Sequence, residues 1–397
     1  VRAAHDDVYL LGRPVDVFAA LADFTRRLED LGLCANAAKS QCWIDPLHMA
    51  SLEACRGSVP LGSVPDGAGG ASYGIDVYGV PIGAREYVHS TLSTKADELA
   101  GKANNMIQSL GSSDKQSLWV LLRCSFQHRF AWFTSNSYPS DAAGAAAIYD
   151  AAVLRVATVA LGVSVSTDAH ACRRLFLPVA QHGGGLRRQA DSALAEVWGA
   201  AWRVVPHLLD TLAPDGTVLM QGILDRPAIA ARVGRGAFED MPTQGWRQFF
   251  ASGSRLGGEL EATWSRMQTE LAGWRQQPDG VEVRVLHLPA GSVAPAAPDA
   301  GRRPNLQADI TGDRERCRLA MLDAEHAAMP PSARARQLWF ALGRESGLFL
   351  SLLPRGLGAF SCAEWVEATA RYFGLPSPAC APLAAAGARL PRSGAQR

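Results

Sequence analysis

The residues best suited to chemistry stand at the start of the chain. Asp6 and Asp7 interrupt the run Ala3-Ala4-His5-Asp6-Asp7-Val8-Tyr9-Leu10-Leu11-Gly12. Their neighbours are apolar and β-favouring, so a strand or hairpin is expected around the acids. Successive side chains of a strand point to opposite faces, which separates the two carboxylates unless a turn intervenes. Two carboxylates about 4 Å apart repel by about 4 kcal/mol at an effective dielectric of about 20. A hard cation with oxygen ligands removes that cost, and paired acids at a strand–turn–strand suit such an ion. The alternative is a solvated hairpin turn with no chemistry. His5, beside the acids, reads as a spacer rather than a base or ligand.

The elements that must position these acids follow directly. Pro14 to Leu31 reads as one amphipathic helix, with Pro14 and Asp16 at its first turn and Gly32 as its stop. Phe18, Leu21, Phe24, Leu28 and Leu31 trace an apolar face at helical spacing, expected to pack as core on a sheet. Asp23, Arg26, Arg27, Glu29 and Asp30 cover the opposite face. Asn36-Ala37-Ala38-Lys39 then leads into a short strand at Gln41-Cys42-Trp43-Ile44. Ser58 to Ser72 is rich in Gly, Pro and Ser and reads as a surface loop. No Gly-Lys-Ser/Thr follows it, so a phosphate-cradling loop is not expected. Gly74-Ile75-Asp76-Val77-Tyr78-Gly79-Val80-Pro81-Ile82-Gly83 reads as a hairpin with glycines at its bends.

This order of hairpin with Asp-Asp, helix, Gly-Leu, Asn-x-x-Lys and short strand resembles the later palm motifs of reverse transcriptases of non-LTR retrotransposons. The hairpin motif of that family is aromatic-Ala-Asp-Asp. Here Ala4 holds the aromatic position and His5 the Ala position, so the motif is matched in its acids only. Residues 74–83 are similar to the family's primer-grip hairpin. The resemblance covers residues 3–45 and 74–83, and more thinly 173–190 and 350–376.

The rest of the chain reads as largely helical. Helices are expected at Glu86–Leu110 with Gly111 as cap, Lys115–Thr134, Ala142–Leu161 ending at Gly162, and 189–210. Within the second, Trp119, Leu122, Phe126 and Phe130 fall at core spacing. Arg123, His128, Arg129 and Trp132 interleave aromatic and basic residues in a mix suited to nucleic acid, with Arg123 and Arg129 the best candidates for a duplex backbone. Leu177-Pro178 followed by Gly183-Gly184-Gly185-Leu186 is similar to an element after the thumb in the same proteins, and reads locally as a tight turn. A helix is expected at Leu256–Gln276, strands at Val281–Leu288 and Leu306–Ile310, and a Pro/Ala/Gly linker between the strands. Ser361-Cys362-Ala363-Glu364 fits a capping box, Phe360 with Trp365 fits the accompanying staple, and Gly374 ends that helix. The stretch from Leu352 to Pro376 looks like the region before the family's Cys/His segment, but Cys380 stands alone here.

The fold class expected is therefore α+β, mainly α: a partial polymerase palm followed by a helical thumb and further helical segments. The expected division is a palm remnant at 1–45, a loop and primer-grip-like hairpin at 46–83 and a thumb-like domain at 84–210. A helical segment with a terminal strand (211–288), a linker (289–312) and a C-terminal helical segment (313–397) complete it. Over 397 residues, 48% hydrophobic and 19% charged residues describe a globular protein. A net charge of +1, from 39 basic and 38 acidic residues, argues against a strongly basic coat for nucleic acid but leaves room for a local basic channel. The eight cysteines show no zinc spacing and suggest a reducing compartment. A soluble intracellular protein is the expectation, without a membrane partner, and a nuclear one if it behaves like the family. Val1 is not a start methionine, and the chain reads as a piece of something longer.

The resemblance implies an RNA-directed DNA polymerase. In that chemistry two Mg²⁺ (or Mn²⁺) ions activate a primer 3′-hydroxyl for in-line attack on a nucleoside triphosphate. It implies Asp6 as metal ligand, Asp7 as its neighbour at the primer end, and Lys39 as a cation at the triphosphate. Tyr78, Gly79, Val80, Pro81 and Gly83 would hold the primer terminus. The implied partners are an RNA template, a DNA primer and nucleoside triphosphates. The catalytic set needs a further aspartate from an earlier strand, so the chain as given is not expected to polymerise on its own. The second reading is a non-catalytic nucleic-acid- or protein-binding helical module derived from a retroelement, favoured by the neutral charge and by Ala4 and His5. A hydrolase has little support, since neither Gly-x-Ser-x-Gly nor His-Glu-x-x-His occurs.

Overall fold

A computed structural model describes residues 2–4, 7–10, 12–36, 39–44, 49–65, 71–165, 167–212, 258–260, 262–263, 265–266, 306–342, 346–352, 354 and 359–376. Asp6, the strand expected at Val281–Leu288, the linker at 289–304 and most of the helix expected at Leu256–Gln276 lie outside these residues. The chain is mainly helical, with two small antiparallel sheets among the described residues. It divides into two compact units, Val1–Lys95 and Ala96–Arg397.

In the first unit, β1 (Arg2–Ala4) pairs antiparallel with β2 (Asp7–Tyr9), in the register Arg2↔Tyr9, Ala3↔Val8 and Ala4↔Asp7. Helix α1 (Pro14–Asp30) starts at the expected proline and stops where Gly32 takes φ +72°. A short helix, α2, covers Met49–Glu53. Strands β3 (Ser63–Pro65), β4 (Ala71–Val77) and β5 (Val80–Gly83) form the second sheet, in that order. Helix α3 (Arg85–Leu110) follows.

Three expectations for this unit are corrected. The apolar stripe of α1 is not core: the helix has no buried residue, Phe18, Leu21, Phe24 and Leu28 are only half-covered, and Leu31 is exposed. The amphipathic pattern states which face can be buried, not that the neighbouring elements are large enough to bury it. The loop expected at Ser58–Ser72 contains strand β3, because Ser63-Val64-Pro65 finds a pairing partner in Ala71–Tyr73. The strand expected at 41–44 reduces to one parallel bridge between Cys42 and Leu61.

The second unit is a helical body built around α6 (Pro139–Leu161), which has twelve buried residues. Six of them are alanines (142, 145, 146, 152, 157 and 160), which keep the helix surface low so that neighbours pack close. Helix α6 packs against α4 (Lys115–Cys124), α5 (Ala131–Asn136) and α8 (Gln189–Leu212). Its last carbonyls, which a helix cannot satisfy internally, are taken by side chains. Lys115 Nζ donates to Val159 O (3.1 Å), Trp365 Nε1 to Ala160 O (2.8 Å) and Thr369 Oγ1 to Leu161 O (2.8 Å). At the other kind of end, the Asp150 carboxylate accepts from the first N–H groups of α8, Gln189 at 2.7 Å and Ala190 at 3.1 Å.

Beyond these come α7 (Ala169–Leu175), α9 (Leu306–Ala328), α10 (Arg334–Ala341) and α11 (Cys362–Phe373). Helix α11 has the expected capping box of Ser361 and Glu364, and Gly374 ends it at φ +73°. The Phe360 and Trp365 rings of the staple lie 6.0 Å apart. The single helix expected at Lys115–Thr134 is instead α4, a 3-10 turn at Phe126–His128, and α5. Ser125 leaves helical geometry (φ −129°), and two side chains, one local and one from α6, bond to carbonyls beside the break. Gln127 Nε2 donates to Arg123 O and Tyr149 Oη to Phe126 O. The strand expected at Leu306–Ile310 is the first part of α9, since a short apolar run carries no period of its own and the helix-forming stretch after it extends backwards.

Candidate functional site

The hairpin that carries the acids is the first element of the site. β1 and β2 place Ala4 opposite Asp7, and Asp6 and the Asp7 side chain lie outside what the structure describes. Two residues after Asp7, Tyr9 reaches the second hairpin. Its ring lies 4.8 Å from that of Tyr78, tilted by 46°, and the Tyr78 N–H donates to Tyr9 Oη at 3.3 Å.

Tyr78 and Gly79 form the tip of the β4–β5 hairpin, with φ +54° and +79°. Two consecutive positive φ values match the right-handed twist of the strands they join, and Asn-Gly is the usual pair there. A tyrosine in the left-handed region costs about 1 kcal/mol. An aromatic pair at this spacing contributes about 0.5–1.5 kcal/mol beyond its area, enough to offset that strain. Below the tip, Val77 faces Val80 and Asp76 faces Pro81 in register, with Val80 and Pro81 buried. At the base, Gly74 opposes Gly83, and a Cβ on Gly74 would stand 2.2 Å from the Tyr87 ring. Burial, with Asp76 adding to it, holds the Tyr87 hydroxyl above the ordinary phenol range, so it stays protonated at neutral pH.

Lys39 is exposed, on a turn in which its N–H donates to Asn36 O at 3.0 Å. Arg123 and Arg129 belong to the helical body. Arg123 is turned to internal use: its Nη1 donates to Leu350 O (3.0 Å) and to Ser351 Oγ (2.8 Å), beside Trp119 Nε1 on the same Leu350 carbonyl (3.0 Å). Arg129, His128 and Trp132 are exposed, whereas Trp119, Phe126 and Phe130 are core. The structure thus joins the acid-bearing hairpin to residues 78–83 through Tyr9, a residue that sequence reasoning passed over as merely β-favouring. Its partner lies 69 positions away, and no local pattern encodes that distance.

Asp6 and Asp7, as adjacent oxygen donors, are of the chemical type a hard divalent cation prefers. Among the described residues, no three His, Cys, Asp or Glu side chains gather as a metal-ligand group. No family model matches the sequence, and no curated protein or solved structure matches the chain.

Proposed function

We propose that this chain is the palm-to-thumb part of an RNA-directed DNA polymerase of the non-LTR retrotransposon type. The Asp-Asp hairpin lies at its metal site, and the 74–83 hairpin holds the primer. One observation carries the reading. In-line nucleotidyl transfer needs the primer 3′-hydroxyl held beside the metal-binding acids. A protein built for it must therefore bring its acid hairpin and its primer-holding hairpin into contact. Two segments assigned to those roles from motifs alone, 69 residues apart, touch through Tyr9 and Tyr78.

A bound pair of Mg²⁺ ions would supply a Lewis acid for the phosphoryl oxygens and a lowered pKa for the primer hydroxyl. Asp6 and Asp7 would contribute carboxylates to it. Lys39 would stand at the triphosphate, and the tip at Tyr78 and Gly79 would fix the primer end. Arg129 is exposed and suits a duplex backbone, while Arg123 is bound to Leu350 O and Ser351 Oγ.

The test is primer extension on an RNA template with Mg²⁺ or Mn²⁺, using a protein that carries this chain behind its upstream palm strands. Extension that is lost in Asp6→Asn supports the polymerase. A folded protein that extends no primer but binds RNA or a protein partner supports the alternative, a non-catalytic helical module.

A further inference from the structure

The helical body docks its later helices through imidazoles as well as aliphatic side chains. His326 of α9 is 2% exposed and stacks flat on Trp339 of α10, with centroids 4.6 Å apart and planes at 10°. His170 of α7 meets the edge of His326 at 5.2 Å, and His182, in the turn after α7, meets Trp339 at 5.7 Å. Arg174 of α7, 3% exposed, lies 5.0 Å from the Trp339 and Tyr372 rings, and donates to His182 O at 3.1 Å. A carbonyl only accepts, so the 2.6 Å contact of His326 Nδ1 with Leu322 O puts the neutral ring's proton on Nδ1. A second proton must then go to Nε2 of a ring enclosed by His170 and Trp339.

The charges around this stack are already committed. Glu325 of α9 faces His170 at 3.1 Å, but Arg173 of α7 holds both its oxygens at 2.5 Å. Asp323 accepts from Trp339 Nε1 at 2.7 Å. Asp168, the N-cap of α7, and Tyr372 of α11 act on Arg174, and the Tyr372 hydroxyl donates to Gly183 O at 3.0 Å.

We propose that this stack is an acid-sensitive latch: protonation of His326 and His182 releases the C-terminal half of α9 together with α10 from α7 and the His182 turn, while the α4–α6–α8 body stays folded. The N-terminal half of α9 has a separate anchorage, because Arg318 Nη2 lies 2.6 Å from Asp191 Oδ2 and Arg314 donates to Asp191 O. The stretch released is therefore about 320–341. Burial holds His326 below its ordinary value of 6.5; the Leu322 carbonyl and, more weakly, Glu325 oppose this, and His170 and Arg174 add to it. Burial and then Arg174 do the same to His182, with Asp323 opposing. Below pH 6.5 the released form binds more protons than the docked one, so docking weakens as the solution is acidified. The latch rests on the helical body alone and is independent of any polymerase activity.

Hydrogen exchange of the full chain at about pH 7.5 and about pH 5.5, corrected for intrinsic rates, reads this directly. Peptides within 320–341 are expected to lose protection several-fold at the lower pH, with those from 142–161 unchanged. The double variant His182→Gln and His326→Gln should show no such difference between the two pH values. If that variant does not fold, an NMR titration of the unsubstituted protein decides: the His326 ring should titrate below 6.5, in step with the local loss of protection. Equal protection at both pH values, a uniform loss that includes 142–161, or an unaltered response in the double variant overturns the latch.

Discussion

The two units hold themselves together differently. In residues 1–95, helix α1 buries none of its residues, and the strands are three to seven residues long. In the helical body, α6 alone has twelve buried residues, and its terminal carbonyls are taken by side chains from α4 and α11. The acids and the hairpin tip belong to the unit whose first helix buries none of its residues. There Tyr9 ties the acid-bearing hairpin to the tip of the second one at Tyr78. In the body, many contacts share the load.

Substitutions sharpen or break this contrast. The largest expected effect is Trp365→Ala. It empties a fully buried site and strips Ala160 O of its donor, at a cost of about 3–5 kcal/mol in denaturant unfolding. Phe24→Ala on the half-covered stripe of α1 should cost well under half of that; an equal cost would erase the contrast. Gly74→Ala drives a methyl into the Tyr87 ring and should destabilise the first unit by about 1–3 kcal/mol, read by hydrogen exchange of 71–88.

A pH experiment probes the body. Burial pushes Asp150 up to about 6 from an ordinary 3.8, so the folded state binds the proton more readily. Stability from this group is present below about pH 4 and is lost as pH rises through about 6. Asp150→Asn should flatten the slope of urea stability between those values by about 1–2 kcal/mol, allowing for partial solvent screening. Tyr9→Phe removes the acceptor for the Tyr78 N–H and should cost about 1 kcal/mol, confined to the first unit. Smallest of all, Ser361→Ala should cost about 1 kcal/mol or less, through the lost cap of α11.

Element ends were the most legible part of the fold. Pro14 and Gly32 bound α1, Gly162 ends α6, and the Ser361–Glu364 box with Gly374 brackets α11, because caps and stops act within one turn of chain. The break at Ser125 was not legible. No Gly or Pro marks it, and the bonds that stabilise it come from Gln127 and from Tyr149 on another helix. Likewise, Arg123 reads as a surface cation until Leu350, 227 positions on, claims it. At the candidate site, the acids and the Tyr78–Gly79 bend were visible as residue types. The Tyr9 contact was not, and neither was the imidazole stack on Trp339. Both are tertiary pairings between residues that look ordinary in their own segments.

The most direct measurement of the central claim is metal-directed backbone cleavage of the full chain, with Fe²⁺ in place of Mg²⁺ and ascorbate to generate radicals at the bound ion. Cuts clustered at residues 5–12 and again near 76–81, competed by Mg²⁺ and lost in Asp6→Asn, are the predicted result. They would place the acids and the second hairpin around one metal site. Cuts elsewhere only, or the same pattern in Asp6→Asn, would contradict it.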